Sequence, residues 1–241
     1  MNWYPVRRKT LYNSACAGWR RLQVESDLSG QTRKRTRREK QSDTLEALMS
    51  AAIQVVGDEG YAAASIAKIT ALANVANGTF YNYFDSRQDL FDQLLPVAGE
   101  RLIAHLRANV APGATGLERE RQRISAYFDY LRLNPGFIRI FHEAEIHAPR
   151  AYARHLEAYL AGYGQALGRS LSLNELGRFS REDIPVLGYL LMGMQDYMAM
   201  LLRAPGKDVD AGRMISVYLR LIGMGGLFVE ADRSAPATAK S

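Results

Sequence analysis

Residues 65–84, SIAKITALANVANGTFYNYF, constrain the fold more than any other stretch of the chain. Ser65 is a good helix N-cap, and Ile66, Ile69 and Ala73 fall on one side of the short helix that follows. Asn74 then stands where the chain must turn left-handed, a backbone that asparagine accepts more readily than any residue but glycine. A second short helix is predicted over about 76–83, with Val75, Phe80 and Phe84 turned back to a small core. Two short helices around a tight turn, the second too polar on one face for ordinary core, predict a helix-turn-helix whose second helix is offered to DNA.

The outward face of that second helix carries the chemistry. It holds Asn77, Gly78, Thr79, Tyr81 and Asn82. A glycine inside a two-turn helix costs about 0.5–1 kcal/mol relative to alanine, and close approach of the backbone to a partner would compensate. Thr79 and Tyr81 offer hydroxyls to phosphate, whereas Asn77 and Asn82 offer the paired donor and acceptor that read adenine edges. Tyr81 or Tyr83 taken alone fits a surface aromatic packed on the preceding helix; the constellation does not.

The charge distribution points the same way. The 241 residues carry a net charge of +6, but residues 1–40 hold 11 Lys and Arg against 3 Asp and Glu, so the remainder is slightly acidic. The run Arg33, Lys34, Arg35, Thr36, Arg37, Arg38 directly precedes the first predicted helix, as a flexible arm reaching along phosphates would. A solvated tail is the alternative reading of such a run. Residues 1–31 keep neither a strand nor a helix period and read as a mobile extension or a misassigned start. Asp43 with Glu46 resembles a capping box, and Leu45, Leu48, Met49, Ala52 and Val56 then recur at helical spacing, predicting a helix over about 44–58 closed by Gly60.

These residues together resemble the TetR family of transcriptional regulators. The resemblance covers about 45–95: Leu48-Met49, Ala51-Ala52, Gly60-Tyr61, Ser65, Ile69, Ala73, Val75, Gly78-Thr79-Phe80-Tyr81, Tyr83-Phe84, Ser86-Arg87 and Leu90-Phe91. It implies phosphate contacts from Thr79 and Tyr81, base contacts from Asn77 and Asn82, and a phosphate held by Arg87 at the start of a fourth helix. Ser65, Gly78, Tyr83 and, ahead of the first helix, Arg37 and Arg38 complete the implied DNA-binding set. Three positions depart from the family pattern: Thr70 replaces the common alanine, Asn74 the common glycine, and Ala76 the usual serine-like cap. Without that cap the recognition helix loses about 1 kcal/mol, so it is expected to complete its folding on DNA.

The fourth helix is expected to pass through Pro96 with a bend and to end near residue 109. Helical patterns follow over about 118–133, 137–146, 149–171, 181–203 and 209–228. In the penultimate one, Leu187, Leu190, Leu191, Met194, Met198 and Leu201 fill one face while Val186, Tyr189 and Tyr197 extend the apolar surface to others, so it needs cover on several sides. Pro185 and the Gln195-Asp196 pair argue against a membrane span. Here the resemblance implies a homodimer built on a four-helix bundle of the last two helices, reading a palindromic operator. Tyr127, Phe128, Phe141, Met194, Tyr197 and Met198, with His142 and Glu145, are candidates for an effector pocket, although such residues also serve as core.

The expectation is therefore an all-α chain of about nine helices. It has a basic extension (1–40), a three-helix DNA-binding domain (41–95), a ligand-binding and dimerisation domain (96–230) and a tail (231–241). One cysteine, Cys16, and no apolar leader fit the cytoplasm. No phosphate loop, nucleophile elbow or zincin spacing calls for an enzyme or a cofactor, and His142, Glu143, Glu145 and His147 do not share one helical face as a metal site requires. The functional expectation is a repressor released from DNA by a small, largely apolar effector. The alternative is a DNA-binding regulator or architectural protein without a small-molecule ligand.

Overall fold

The computed structural model describes residues 36–202 and 210–224. Among them are nine helices and no strand: α1 Arg37–Glu59, α2 Ile66–Leu72, α3 Asn77–Phe80, α4 Arg87–Ala108, α5 Gly116–Leu133, α6 Phe137–His147, α7 Pro149–Ser172, α8 Ile184–Leu202 and α9 Ala211–Met224. The expected extension over 1–31, the basic residues 33–35, the tail and the far end of the last helix lie outside the described residues.

The first helix starts earlier than its apolar period suggests. Thr36, not Asp43, is the N-cap: its hydroxyl accepts from the Glu39 amide while Glu39 returns a bond to the Thr36 amide, a complete capping box. Arg37 and Arg38 are therefore part of the first helical turn and not a flexible arm. Glu46, expected to cap, instead forms an ion pair with Arg101 of α4.

Leu48, Ala52 and Val56 of α1, Ile69 of α2, and Phe80, Phe84, Leu90 and Leu94 around α3 and α4 form one buried cluster, so the small helices are held by a shared apolar core. Asn74 adopts φ 55°, the left-handed turn expected of it. The second short helix is tighter than predicted: only residues 77–80 are helical and 81–83 continue as turns. Ala76 gives no side-chain cap.

α4 runs unbroken through Pro96. Proline has no amide to give the Asp92 carbonyl four residues earlier, and Arg154 of α7 donates to that carbonyl instead. α4 packs on α5 and α7, α7 on α8, and α5 on α9, which builds the larger helical body. Gly99 permits the closest of these crossings, because a Cβ there would lie 2.0 Å from the His155 ring.

Candidate nucleic-acid interface and inner cavities

The face predicted to point outward from α3 and the turn after it is exposed over most of its residues. Phe80 is fully buried, whereas Tyr81 is 60 % exposed, and Asn77, Gly78 and Asn82 face solvent. Nothing lies within 4 Å of a Cβ built on Gly78, so no contact inside the chain explains that glycine. Thr79 and Tyr83 are half-buried. Asn77 is less free than expected, for its amide oxygen is bonded to the hydroxyl of buried Thr70, which also reaches the Ile66 carbonyl at 2.9 Å. The unusual threonine thus ties the start of α3 to α2, although it caps none of the backbone amides that Ala76 leaves without a side-chain partner.

At the edges of this face the predicted phosphate holders are partly engaged. Ser65 caps α2 by accepting from the Lys68 amide at 3.2 Å, and its own hydroxyl proton stays available. Arg87 is exposed, donates to the Ala64 carbonyl at 3.3 Å and lies 5.3 Å from the centre of the Phe91 ring. In the first turn of α4 the Ser86 hydroxyl accepts from the Asp89 amide at 3.1 Å, and the Asp89 carboxylate accepts from the Asp85 amide at 3.1 Å, so an anion arriving there meets the Arg87 guanidinium beside a carboxylate. Arg37 and Arg38 stand exposed in the first turn of α1.

α6 grips the far end of α1. The backbones cross at a glycine pair: a Cβ on Gly57 would lie 2.9 Å from the Gly136 Cα. Arg139 donates to the carbonyls of Gly57 and Asp58, and Glu143 accepts from the Tyr61 amide at 2.9 Å. His147 stacks on buried Tyr61 at 5.8 Å between ring centres. The sequence hint was there, in Glu143 and His147 one turn apart. Spacing along one helix does not say what that face meets.

The candidate effector residues divide into three groups. Tyr127 and Phe141 line a tight interior cavity of about 20 Å³ with Leu102, His155, Met192 and Asp196. Met194, Tyr197 and Met198 lie instead along an open apolar groove of about 490 Å³ between α8 and α9. Phe128 is core, Glu145 is exposed, and His142 bonds Asp196 of α8 at 2.9 Å.

Behind the interior cavity lies a polar network that the sequence did not reveal. Buried Glu120 accepts from Tyr218 at 2.5 Å and from Gln195 at 3.3 Å, and pairs with Arg123, whose guanidinium lies 3.6 Å from the centre of the Tyr163 ring. Tyr159 donates to Gln195 at 3.2 Å, and burial pushes its hydroxyl up to about 12, so it stays a donor. In sequence Glu120 belongs to a Glu-Arg-Glu-Arg run at the start of an amphipathic helix, and its burial appears only with the packing of α9 over it.

A third cavity, about 260 Å³, opens between α4, α5 and α7 and shares Tyr159 with the interior one. Among the described residues no three metal-ligating side chains gather, and no helix is long and apolar enough to cross a membrane.

The family profile of bacterial regulatory proteins, tetR family, matches residues 48–94, from the middle of α1 into α4. Over 169 residues the chain is 29 % identical to the transcriptional repressor NicS of Pseudomonas putida, covering 67 % of this chain and 78 % of that one. It is 30 % identical over 84 residues to a fatty acid metabolism regulator of Bacillus subtilis, covering 35 % and 43 % of the two chains. Its fold is similar to that of the B. subtilis regulator FadR solved in complex with stearoyl-CoA, with a TM-score of 0.65 at 20 % identity over 74 % of this chain and 97 % of that one.

Proposed function

The chain belongs to the tetR family of bacterial regulatory proteins, and from that premise we propose that it is a cytoplasmic repressor binding an inverted-repeat operator as a homodimer. The observation that carries this is the face of α3, exposed and polar over Asn77, Gly78, Tyr81 and Asn82 yet anchored by fully buried Phe80. In this reading residues 41–95 hold the DNA. Thr79, Tyr81, Tyr83, Ser65, Arg87, Arg37 and Arg38 take phosphates, Asn77 and Asn82 lie at the bases, and Gly78 lets the backbone close in.

The homodimer is supported by apolar surface that a lone chain leaves in water. Val186, Tyr189, Leu190, Tyr197 and Leu201 of α8 and Val217 and Leu221 of α9 are exposed, Tyr197 at 74 % and Leu221 at 61 %. Contiguous apolar patches on helices mark an interface. A second copy with the same patch covers both at once and brings two recognition helices onto one side of the DNA.

The larger domain, 96–230, takes the effector, a small and largely apolar molecule. FadR, similar in fold, is seen with a long acyl thioester, which supports an apolar effector in this fold. α6 supplies the path: Phe141 lines the interior cavity while Arg139 and Glu143 hold the end of α1. An occupant that shifts α6 moves the DNA-binding helices with it, and release follows from its preference for the shifted state.

The test is footprinting on genomic DNA recovered with the purified protein. Two protected half-sites with centres about 34 Å apart along one face are expected. Protection of an isolated half-site by a monomer contradicts the proposal.

A further inference from the structure

The cavity between α4, α5 and α7 is walled by four arginines and no carboxylate: Arg107 of α4, Arg119 and Arg123 of α5, and Arg169 of α7. Two of them are neutralised from behind. Arg119 pairs with buried Glu175 at 3.2 Å and bonds Ser170 at 2.7 Å, and Arg123 pairs with Glu120. Arg107 and Arg169 have no ion-pair partner among the described residues. Each stands in the last turn of its helix, where the helix dipole favours a cation, and the two come from different helices to one cavity. A concave site lined by one sign of charge with low-dielectric walls concentrates the opposite ion, and guanidinium groups bind phosphate bidentately.

Apart from Gln165 the remaining walls are largely apolar, with Ile103, Leu106 and Tyr159 among them. Tyr159 is also a wall of the interior cavity, beyond which lie Phe137, Phe141 and His155. The volume of about 260 Å³ suits a diphosphate and a few carbons, whereas the interior space of about 20 Å³ is filled by the protein itself. An apolar chain can enter the interior only by turning Tyr159 aside, which breaks its bond to Gln195.

From this arrangement we infer that the effector is an amphiphile with a polyphosphate head, held by Arg107 and Arg169 in front of the paired Arg119 and Arg123, and with its apolar part directed past Tyr159. This deepens the proposed function and rests on it for the consequence at DNA, but the site itself stands on the cavity alone.

Two variants test it without disturbing the core. Arg107→Ala with Arg169→Ala removes two exposed, unpaired charges. Gly162→Leu fills the cavity from α7, where a Cβ meets nothing within 4 Å. The probes are palmitoyl-CoA, with chain and polyphosphate; palmitate, with chain and one carboxylate; and coenzyme A without a chain. Calorimetric titration is expected to show palmitoyl-CoA binding the natural protein, with affinity reduced about tenfold or more in each variant while thermal melts show that both variants stay folded. Coenzyme A is expected to compete, and palmitate to bind no differently to the double variant. Absence of palmitoyl-CoA binding, equal affinity in the variants, or an arginine dependence of palmitate as large as that of palmitoyl-CoA overturns the site. Gel shifts separate the two readings. Arginine-dependent binding that leaves the operator complex intact overturns the effector role and keeps the site, while release by palmitate that ignores the arginines keeps the effector role and overturns the site.

Discussion

His155 shows how one side chain couples packing to solution behaviour. Its ring is pressed against Gly99 of α4 and faces Phe137 and Phe141 across the interior cavity. Burial lowers its proton affinity from 6.5 to about 4. Between those values the unfolded chain holds a proton that the folded one refuses, so stability is fully present above about pH 6.5 and falls as pH drops towards 4. The shift corresponds to a loss of about 2–3 kcal/mol by pH 4.5. Denaturant titrations at pH 7.5 and 4.5 are expected to show His155→Gln losing that much less than the natural protein; parallel losses exclude the account. The histidine was visible in the sequence, but its ring is enclosed by residues of α4 and α6 as well as its own helix, so nothing local marked it. Thr70 teaches the same lesson in reverse. As a departure from the family pattern it was legible, while its bond to Asn77 appeared only once α2 and α3 were placed side by side.

At the scale of elements, helix existence and order were legible because apolar period and turn residues are local signals. The ends were less so. α1 starts seven residues before the apolar period because the Thr36 and Glu39 capping box can act on a turn that buries nothing. α3 stops at Phe80, although 81–83 still carry helical spacing. Pro96 was legible as a break in bonding, but Arg154, which takes the orphaned Asp92 carbonyl, was not. The crossing of α1 with α6 is one of the contacts that join the two parts of the chain, beside α4, which runs through both. Gly57→Ala puts a methyl 2.9 Å from backbone that cannot turn aside, and overpacking of this kind costs about 1–3 kcal/mol. Thermal melts are expected to show that loss together with altered operator affinity. Gly113→Ala, with open space around its Cβ, is the control expected to stay within about 0.5 kcal/mol. A Gly57→Ala protein as stable as the control would mean that the helices are not packed as described.

In the proposed function the molecule as a whole acts as a lever between two sites. At one end α3 presents a polar face on a buried anchor, and at the other three cavities surround α7 and α8. α6 touches both ends, through Phe141 at the interior cavity and through Arg139 and Glu143 at the end of α1. The exposure of the face proposed for DNA was readable from sequence because Asn77, Gly78, Tyr81 and Asn82 lie in one short stretch of chain. The cavities were not, because they are assembled from residues of α4 to α9 that are far apart in the chain. The central claim is that the α3 face and Arg87 hold DNA, and salt-dependent gel shifts on the recovered operator test it most directly. Arg87→Gln is expected to weaken binding to every sequence and to lower the slope of log affinity against log salt by about 2, one phosphate from each half of the dimer. Asn82→Ala is expected to narrow the gap between operator and unrelated DNA while leaving that slope unchanged. Natural affinity, slope and specificity in both variants would contradict the account.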